Sequence, residues 1–228
     1  MAFNALIIMA TCCRAFVGIL LVSLMVINSV HADPEALQDL CVADTKSSIF
    51  MNGSPCLNPM EASPEHFMTS ALRKPGNLSD NPLGFSVIVT TPANLPGLNT
   101  LGLSMGRIDM APGSAIPPHI HPRGSETVFV VRGALNVGFV DTSNRLFSHK
   151  LVTGDVFVFP KGAVHYLQNI GKITAFIVSA FNSQNPGTVI VSLATFASTP
   201  AIPYEVLSKA FVISVQEVSQ IRKSLGGT

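Results

Sequence analysis

Short apolar runs separated by turn residues follow one another from about residue 85 to residue 193. Gly, Pro and Asn interrupt these runs about every 8–12 residues, a spacing typical of all-β sandwiches and barrels. Examples of the predicted strands are 85–91, 101–109, 127–131, 135–140, 155–159, 174–181 and 188–193. The pattern therefore predicts one all-β domain.

The two flanks of this region have different patterns. Six prolines between residues 33 and 82 break any long helix, which predicts a loop-rich extension. Near the C-terminus, apolar residues recur every three or four positions and predict an amphipathic helix with Val215, Val218, Ile221 and Leu225 on one face. This face must be buried against either the barrel or a neighbouring subunit. We therefore divide the chain into 1–32, an extension at 33–84, a barrel at 85–200 and a helical segment at 201–228.

Residues 1–32 have the features of a secretory signal peptide. Arg14 supplies a positive charge, 15–27 form an apolar run of 13 residues, and Val30 and Ala32 place small residues at the −3 and −1 positions of a cleavage site. The alternative is an uncleaved membrane anchor, which needs about 20 apolar residues. Because Arg14 interrupts the apolar stretch, cleavage after Ala32 is the preferred interpretation, and it predicts a secreted chain.

Charge is sparse and balanced over the remaining chain. Arg14 is the sole Lys or Arg of residues 1–32, so 13 of the 14 basic residues remain against 13 acidic ones. No basic patch or charge run indicates nucleic acid as a partner, and no membrane contact is expected once the signal is removed. An acidic substrate would need a local rather than a global attraction.

Secretion changes the interpretation of the cysteines. Cys12 and Cys13 leave with the signal, and the mature chain keeps Cys41 and Cys56. In an oxidising compartment such a pair predicts one disulfide. Two free thiols are the alternative, and a cysteine-based zinc site is disfavoured because no second pair is present.

Two Asn-x-Ser sequons lie among turn-forming residues. They begin at Asn77 and Asn52 and predict surface glycosylation. Asn77 is the better acceptor, since Pro55 follows the Asn52 sequon and the predicted disulfide lies beside it.

Three histidines and one glutamate form the main chemical signal of the sequence. His119, His121 and Glu126 occur in one Gly-bounded block, and His165 follows Pro160-x-Gly162 in a second block. Side chains alternate along a strand, so His119 and His121 should point the same way, and we expect Glu126 to begin the strand that returns beside theirs. His165 should arrive from a separate hairpin. A shell of three imidazoles and one carboxylate indicates Mn or Fe, with Zn or Ni as alternatives.

The histidines outside the two blocks give no such signal. A single histidine is more often a structural or surface residue than a ligand, and His66 and His149 are interpreted in that way.

The two blocks are similar to the paired motifs of the cupin superfamily. Residues 117–123 (PPHIHPR), 154–160 (GDVFVFP) and 181–187 (FNSQNPG) further resemble plant germins and germin-like proteins, and so does 37–44 (LQDLCVAD) at the mature N-terminus. The resemblance covers essentially the whole mature chain.

The resemblance implies a cupin β-jelly-roll barrel with a loop-rich N-terminal extension and C-terminal helices. It implies that His119, His121, Glu126 and His165 are manganese ligands, that Cys41 pairs with Cys56, and that Asn77 carries a glycan. It also implies a homohexamer, a trimer of dimers clasped by C-terminal helices, and an apoplastic glycoprotein associated with the cell wall and with stress or pathogen defence.

The resemblance leaves the activity open among three hypotheses. Germins proper are oxalate oxidases, whereas several germin-like proteins are superoxide dismutases. Family oxalate oxidases carry pocket asparagines that orient the substrate, and the matching positions here are Gly106 and Ile116, which cannot donate a side-chain hydrogen bond. We therefore expect a manganese-dependent superoxide dismutase rather than an oxalate oxidase. A non-catalytic wall or receptor protein with a structural metal is the alternative from a different class.

Overall fold

Ten short strands fold into two sheets in the part of the chain that the computed structural model describes, residues 38–49 and 53–227. The predicted signal peptide and Asn52 lie outside these residues. The strands are β1 (Phe85–Val89), β2 (Ser104–Met110), β3 (Ala115–Ile120), β4 (Glu126–Arg132), β5 (Ala134–Val140), β6 (Leu146–Val152), β7 (Val156–Phe159), β8 (Val164–Asn169), β9 (Ala175–Phe181) and β10 (Val189–Ile190).

All strand pairs in the two sheets are antiparallel. The first sheet has the order β1-β2-β9-β4-β7, and the second has the order β10-β3-β8-β5-β6. Strand β4 shows why the sequence folds in this way: Glu126, Val128 and Val130 are buried, while Thr127 and Phe129 between them are exposed. This alternation is the general period of a half-buried sheet.

A single apolar core lies between the two sheets. It contains residues from both, among them Val128 and Val130 from the first sheet and Leu135, Val137 and Leu167 from the second. All five are completely buried. The predicted all-β barrel is therefore confirmed, with its core formed by facing sheets.

Strand pairing around the predicted metal ligands differs from the sequence expectation. Strand β4 does not return beside β3, because β3 belongs to the second sheet and β4 to the first. The neighbour of β3 is β8, which brings His165 opposite His119 in the register. The expectation of a separate hairpin for His165 was wrong, because β7 and β8, on either side of the Pro160-x-Gly162 turn, belong to different sheets.

Two further differences concern elements that the sequence pattern hid. The predicted strand at 188–193 ends at Ile190, and helix α1 (Val191–Phe196) begins immediately afterwards. Helix α2 (Tyr204–Phe211) precedes the predicted last helix, which is α3 (Val215–Ser224). Short apolar runs do not distinguish a buried strand from a buried helix, and this ambiguity explains the error at 191–193.

The C-terminal helices bury their apolar faces against one another. Phe196, Leu207 and Val218 form a second core, one residue from each helix. Helix α3 begins with a capping box between Ser214 and Glu217, which satisfies free backbone groups of its first turn. The apolar face of α3 thus packs against the two preceding helices of its own chain. The sequence pattern predicted contact with the barrel or with a neighbouring subunit instead.

The N-terminal extension is attached to the barrel by covalent and hydrogen bonds. Cys41 and Cys56 form the predicted disulfide. The backbone N–H of Ala43 donates to the carbonyl of Pro96, and the buried Asn99 side chain donates to the carbonyl of Ser54. These contacts fix the extension to the barrel.

Candidate metal centre

Strand pairing across the barrel brings the four predicted ligands together. His119 of β3 and His165 of β8 are paired in register, and His121 follows the last residue of β3. Glu126 is the first residue of β4 in the opposite sheet. All four side chains are buried, and one donor atom from each lies within 4.8 Å of the others. They form a candidate metal site within the described residues.

The glutamate carboxylate lies between two of the imidazoles. Glu126 Oε2 is 3.2 Å from His121 Nε2 and 3.3 Å from His165 Nε2. The ring centroids of His119 and His165 are 4.0 Å apart. A cluster in which so many nitrogen and oxygen donors converge in a buried place is stabilised when a cation lies among them.

Backbone carbonyls fix the orientation of all three imidazoles. The Nδ1 atom of His119 is 2.9 Å from the carbonyl oxygen of Pro117, and Nδ1 of His165 is 2.9 Å from that of Ala163. The Nδ1 atom of His121 is 2.5 Å from the carbonyl oxygen of Gly187. When Nδ1–H donates a hydrogen bond to each of these carbonyls, the Nε2 atoms are left as the metal-binding donors. This outer arrangement is typical of metal-ligating histidines.

The charges of the cluster suit a divalent cation. Burial would raise the pKa of the Glu126 carboxyl, but hydrogen bonds with His121 and His165 outweigh it and lower the pKa to about 2. Burial, followed by repulsion from His165, lowers the pKa of His119 to about 4. The cluster therefore offers an ionised carboxylate and a neutral imidazole at neutral pH, as metal ligation requires.

His121 behaves differently from His119 because both of its nitrogens face acceptors. Burial opposes its protonation, but hydrogen bonds with Glu126 and with the Gly187 carbonyl outweigh burial and raise the pKa of His121. Nε2 of His121 and Oε2 of Glu126 are 3.2 Å apart and converge on one point, where both could hold a cation. The residues present therefore fit the metal that the resemblance implies.

An exposed arginine holds the loop that orients His121. The Arg123 guanidinium donates from Nε to the carbonyl of Asn185 and from Nη2 to its Oδ1, at 2.8 and 2.9 Å. The backbone N–H of Arg123 also donates to the carbonyl of Pro186. Gly187 follows with a φ of 68°, and an ideal Cβ there would be 2.7 Å from Arg123 Nη2. The positive φ favours glycine at this position, because a side chain there would be strained.

A cavity of about 170 Å³ adjoins the cluster and is in contact with His119, His121 and Glu126. Its remaining walls are almost entirely apolar. They are formed by Phe85, Val87, Val89, Ile108, Ile116, Leu167, Phe181, Pro186, Thr188 and Ile190. Among these described lining residues Thr188 alone has a polar side chain, and it is exposed. The metal site thus faces a small apolar chamber.

The two positions that match the oxalate-orienting asparagines lie close to this chamber. Ile116 is part of its wall and is almost completely buried. Gly106 is buried in β2, and an ideal Cβ there would be 3.7 Å from Cε2 of Phe181, another wall residue. Neither position contributes a hydrogen-bond donor from a side chain to the chamber.

Other polar residues near and outside the two blocks do not belong to the cluster. Asn169, the last residue of β8, donates from its side chain to the carbonyls of Met110, Ala111 and Ile173. His66 accepts the backbone N–H of Ser63 through Nδ1, and His149 is exposed on β6. Both histidines lie outside the cluster, as predicted.

Several contributors to the site could not be identified from sequence. Phe159 stacks on His165 with ring centroids 4.4 Å apart, and Phe181 contacts His121 edge-on at 5.0 Å. The carbonyls that orient the imidazoles carry no side-chain signal. Only the Asn-Pro-Gly turn at 185–187 indicated that the backbone of Gly187 adopts an unusual conformation.

Comparisons with known proteins agree with this site and fold. The cupin family model matches residues 70–219. Germin-like protein subfamily 1 member 1 from Arabidopsis thaliana is 50% identical over 92% of this chain and 99% of its own length. Nectarin-1 from Nicotiana plumbaginifolia is 48% identical over 84% of this chain and 82% of its own.

A solved structure gives the same result in three dimensions. An oxalate oxidase in complex with the substrate analogue glycolate is 43% identical, with a TM-score of 0.81, and the match covers 86% of this chain and 100% of that chain. Family model, relatives and solved structure all match the barrel that carries the four clustered ligands. The chain therefore belongs to the germin-like proteins of the cupin superfamily.

Proposed function

We propose that this chain is a secreted manganese protein of the plant apoplast that dismutates superoxide and does not oxidise oxalate, with a role in stress or pathogen defence. The observation that carries the proposal is the combination at one site of an intact His3Glu cluster and an apolar chamber. The cluster supplies all the donors for a redox-active ion. The described residues that line the chamber interior supply no side chain that would hold a second polar group.

The ligand set supports manganese as the ion. Imidazole suits several transition metals, whereas carboxylate and water favour harder ions such as manganese. A bound manganese ion supplies a one-electron redox couple. The protein keeps the three Nε2 donors in place through the carbonyls of Pro117, Ala163 and Gly187. Iron and zinc are the alternatives that metal analysis must exclude.

The proposed reaction consumes two superoxide anions and two protons. One superoxide loses an electron and becomes dioxygen, and the other gains that electron and becomes hydrogen peroxide with two protons from solvent. No separate general base is needed for this exchange. The described residues that face the chamber include no such base besides the metal ligands themselves.

The absence of polar side chains in the chamber interior disfavours oxalate as the substrate. The related oxalate oxidase with bound glycolate shows that this fold supports such chemistry in another protein. In this chain Ile116 contributes an apolar side chain to the wall, and Gly106 contributes none. A dicarboxylate would therefore leave its second carboxylate without a hydrogen-bond partner, which is strongly unfavourable in an apolar chamber.

Secretion is supported by features outside the metal site. Within the described residues, the Cys41–Cys56 disulfide is the bond expected of an oxidising compartment. Asn77 is exposed, with its side chain on the surface in a short turn, where a glycan can be attached. No helix among the described residues is long and apolar enough to cross a bilayer. Mass spectrometry of the native protein tests cleavage after Ala32 and a glycan on Asn77.

Paired activity assays on one purified sample test the proposed reaction. We expect the manganese-loaded protein to dismutate superoxide faster than the same concentration of free Mn²⁺, and to release no hydrogen peroxide from oxalate. The dismutase activity would be assigned to the cluster if Glu126→Gln loses it and the exposed control Glu61→Gln keeps it. Activity no higher than that of free Mn²⁺ would refute the proposed dismutase. Peroxide formed from oxalate would show that the protein is an oxalate oxidase.

A non-catalytic wall or receptor protein is the second candidate. The apolar chamber favours it, because a receptor site is typically an apolar cavity with a few polar anchors. In that case the metal would support the barrel or the ligand without turnover. A Glu126→Ala variant that loses its metal yet keeps the full biological effect of the protein would favour this candidate over the enzyme.

We also propose that the chain forms the homohexamer that the family resemblance implies. Several large apolar side chains on and next to the C-terminal helices remain exposed in the single chain. They are Val206, Phe211, Val212 and Val215. Exposed apolar surface of this kind is available for contacts between subunits. Sedimentation of the native protein measures the assembly directly.

A further inference from the structure

The chamber beside the metal cluster is larger than superoxide needs. Its volume is about 170 Å³. An apolar cavity of about 150 Å³ in another protein admits a benzene molecule, so this chamber has room for one aromatic ring. Two-atom oxygen species would fill only a small part of it. The size of the chamber therefore calls for a further explanation.

The walls of the chamber define the body of the ligand that would fill it. Ile108, Ile116, Leu167 and Phe181 are buried and present hydrocarbon surface. The hydroxyl of Thr188 belongs to the open edge, since that residue is exposed. A polar body would lose its hydration on entry and find no partner in the interior. The body of a fitting ligand must be apolar.

The metal cluster defines the head of the same ligand. His119, His121 and Glu126 line the chamber, so the open side of the metal site faces it. A divalent ion with one carboxylate and neutral imidazoles leaves one net positive charge. No other charged residue occurs among the described lining residues. One anionic oxygen group on the ligand neutralises that charge, whereas a second would remain unpaired.

We propose that the chamber binds an amphiphilic monoanion, with one carboxylate or phenolate head and an apolar body of about one aromatic ring. The inference rests on the proposed function in one respect, the presence of a divalent metal in the cluster. Ligand and superoxide share the chamber, so the bound monoanion excludes superoxide and inhibits dismutation. The same preference also gives the receptor candidate a defined class of ligand.

Titration of the manganese-loaded native protein with benzoate, acetate and oxalate tests the proposal. Calorimetry measures affinity, and the spin-resonance spectrum of Mn²⁺ reports whether the head reaches the metal. We expect benzoate to bind about tenfold or more tightly than acetate, because burial of an aromatic ring contributes a gain of that order. Benzoate should also bind more tightly than oxalate, and metal-free protein should bind it at least about tenfold more weakly. Equal affinities for benzoate and acetate would overturn the proposal.

Variants of the chamber wall separate a specific site from general adsorption. Ile116→Asn should weaken benzoate binding by about tenfold, because a buried amide then replaces hydrocarbon against the ring. Ile116→Leu should keep the affinity within about threefold, since volume and polarity are conserved. The matched control is Ile173→Asn, where the isoleucine is 54% exposed and lies outside the chamber wall. Unchanged benzoate affinity in a folded Ile116→Asn protein would overturn the proposal.

Superoxide assays on the same samples distinguish failure of this inference from failure of the proposed function. Dismutation without benzoate binding would refute the ligand class and leave the dismutase intact. Benzoate binding that alters the Mn²⁺ spectrum, without dismutation above free Mn²⁺, would support the ligand class and refute the dismutase. Inhibition of dismutation by benzoate at the concentrations that saturate binding would support both.

Discussion

At the scale of single residues, Gly106 and Ser179 face each other on neighbouring strands of the first sheet. Both are buried, and they are paired in the register of β2 and β9. An ideal Cβ at residue 106 would be 2.4 Å from Ser179 Oγ, closer than real Cβ atoms approach. Among the residues that the structure describes, the Ser179 hydroxyl has no hydrogen-bond partner. Serine and the nearby Phe181 ring thus occupy space that a side chain at 106 would need.

This arrangement predicts coupling between the two positions. Gly106→Asn should lower the free energy of unfolding by about 1–3 kcal/mol, because the new side chain overpacks the inner face of the sheet. Ser179→Ala should be nearly neutral, since it removes a hydroxyl that makes no hydrogen bond. In the Ser179→Ala background the cost of Gly106→Asn should fall by about 1 kcal/mol, measured by denaturant unfolding in a double-mutant cycle. Strictly additive effects would show that Ser179 is not the obstacle.

At the scale of elements, the alternation of residues predicted which side chains of a strand are buried, but it did not predict which strands pair. The burial of Glu126, Val128 and Val130 on one face of β4 followed from the period of the sequence. The placement of β3 and β4 in different sheets did not, because local patterns carry no information on which strands pair. The clustering of the four candidate ligands could be predicted without the pairing, because the buried face of a strand points into the same barrel whichever sheet the strand joins.

The loop at 185–187 is an element whose role appears only in three dimensions. Arg123 is exposed and lies only two residues after His121 in the sequence, and its guanidinium holds Asn185 from a distant part of the chain. Two residues later, the Gly187 carbonyl orients His121. The arginine therefore positions a metal ligand without touching the metal.

Removal of the Arg123 side chain should weaken metal binding. For Arg123→Ala we expect manganese affinity to fall by about tenfold or more, the usual effect of losing an outer partner of a ligating histidine. Arg123→Lys should recover only part of this loss, because lysine cannot donate to both Asn185 acceptors in one plane. Arg145→Ala, which changes an exposed arginine on another turn, should leave metal affinity unchanged. Equal metal affinity in Arg123→Ala and wild type, measured by competition with a chelator, would refute the positioning role.

The N-terminal extension depends on its disulfide for stability. Cys41 and Cys56 close a loop with a sequence separation of 15 residues. Loss of such a crosslink costs about 3 kcal/mol in the chain-entropy model. We expect the free energy of unfolding of the Cys41→Ser/Cys56→Ser double variant to be lower by about 3 kcal/mol in a denaturant titration. The metal content of the folded protein should stay unchanged. A simultaneous loss of metal would show that the extension and the metal centre are coupled.

At the scale of the whole molecule, the single chain leaves apolar surface at its C-terminal end. Val212, at the end of α2, is 90% exposed and has a φ of 56°, an unusual conformation for a β-branched residue. Neither property benefits an isolated chain. A contact with another subunit would bury this side chain and explain why an apolar residue is found at this position.

Val212→Glu should therefore disrupt the proposed hexamer. Placing a charge in a subunit contact shifts the assembly to smaller species, which sedimentation or light scattering detects. The matched control is Met60→Glu, because Met60 is equally exposed, at 90%, and lies in the N-terminal extension. The hexamer should survive this control. An unchanged assembly in Val212→Glu would place the subunit contact elsewhere on the molecule.

The proposed function depends on a redox-active ion in the buried His3Glu cluster, and metal analysis of the purified native protein measures whether one is bound. We expect manganese at close to one ion per chain, lost in Glu126→Gln and kept in Glu61→Gln. Zinc at full occupancy without manganese would refute the proposed dismutase, because zinc has no redox chemistry with which to dismutate superoxide.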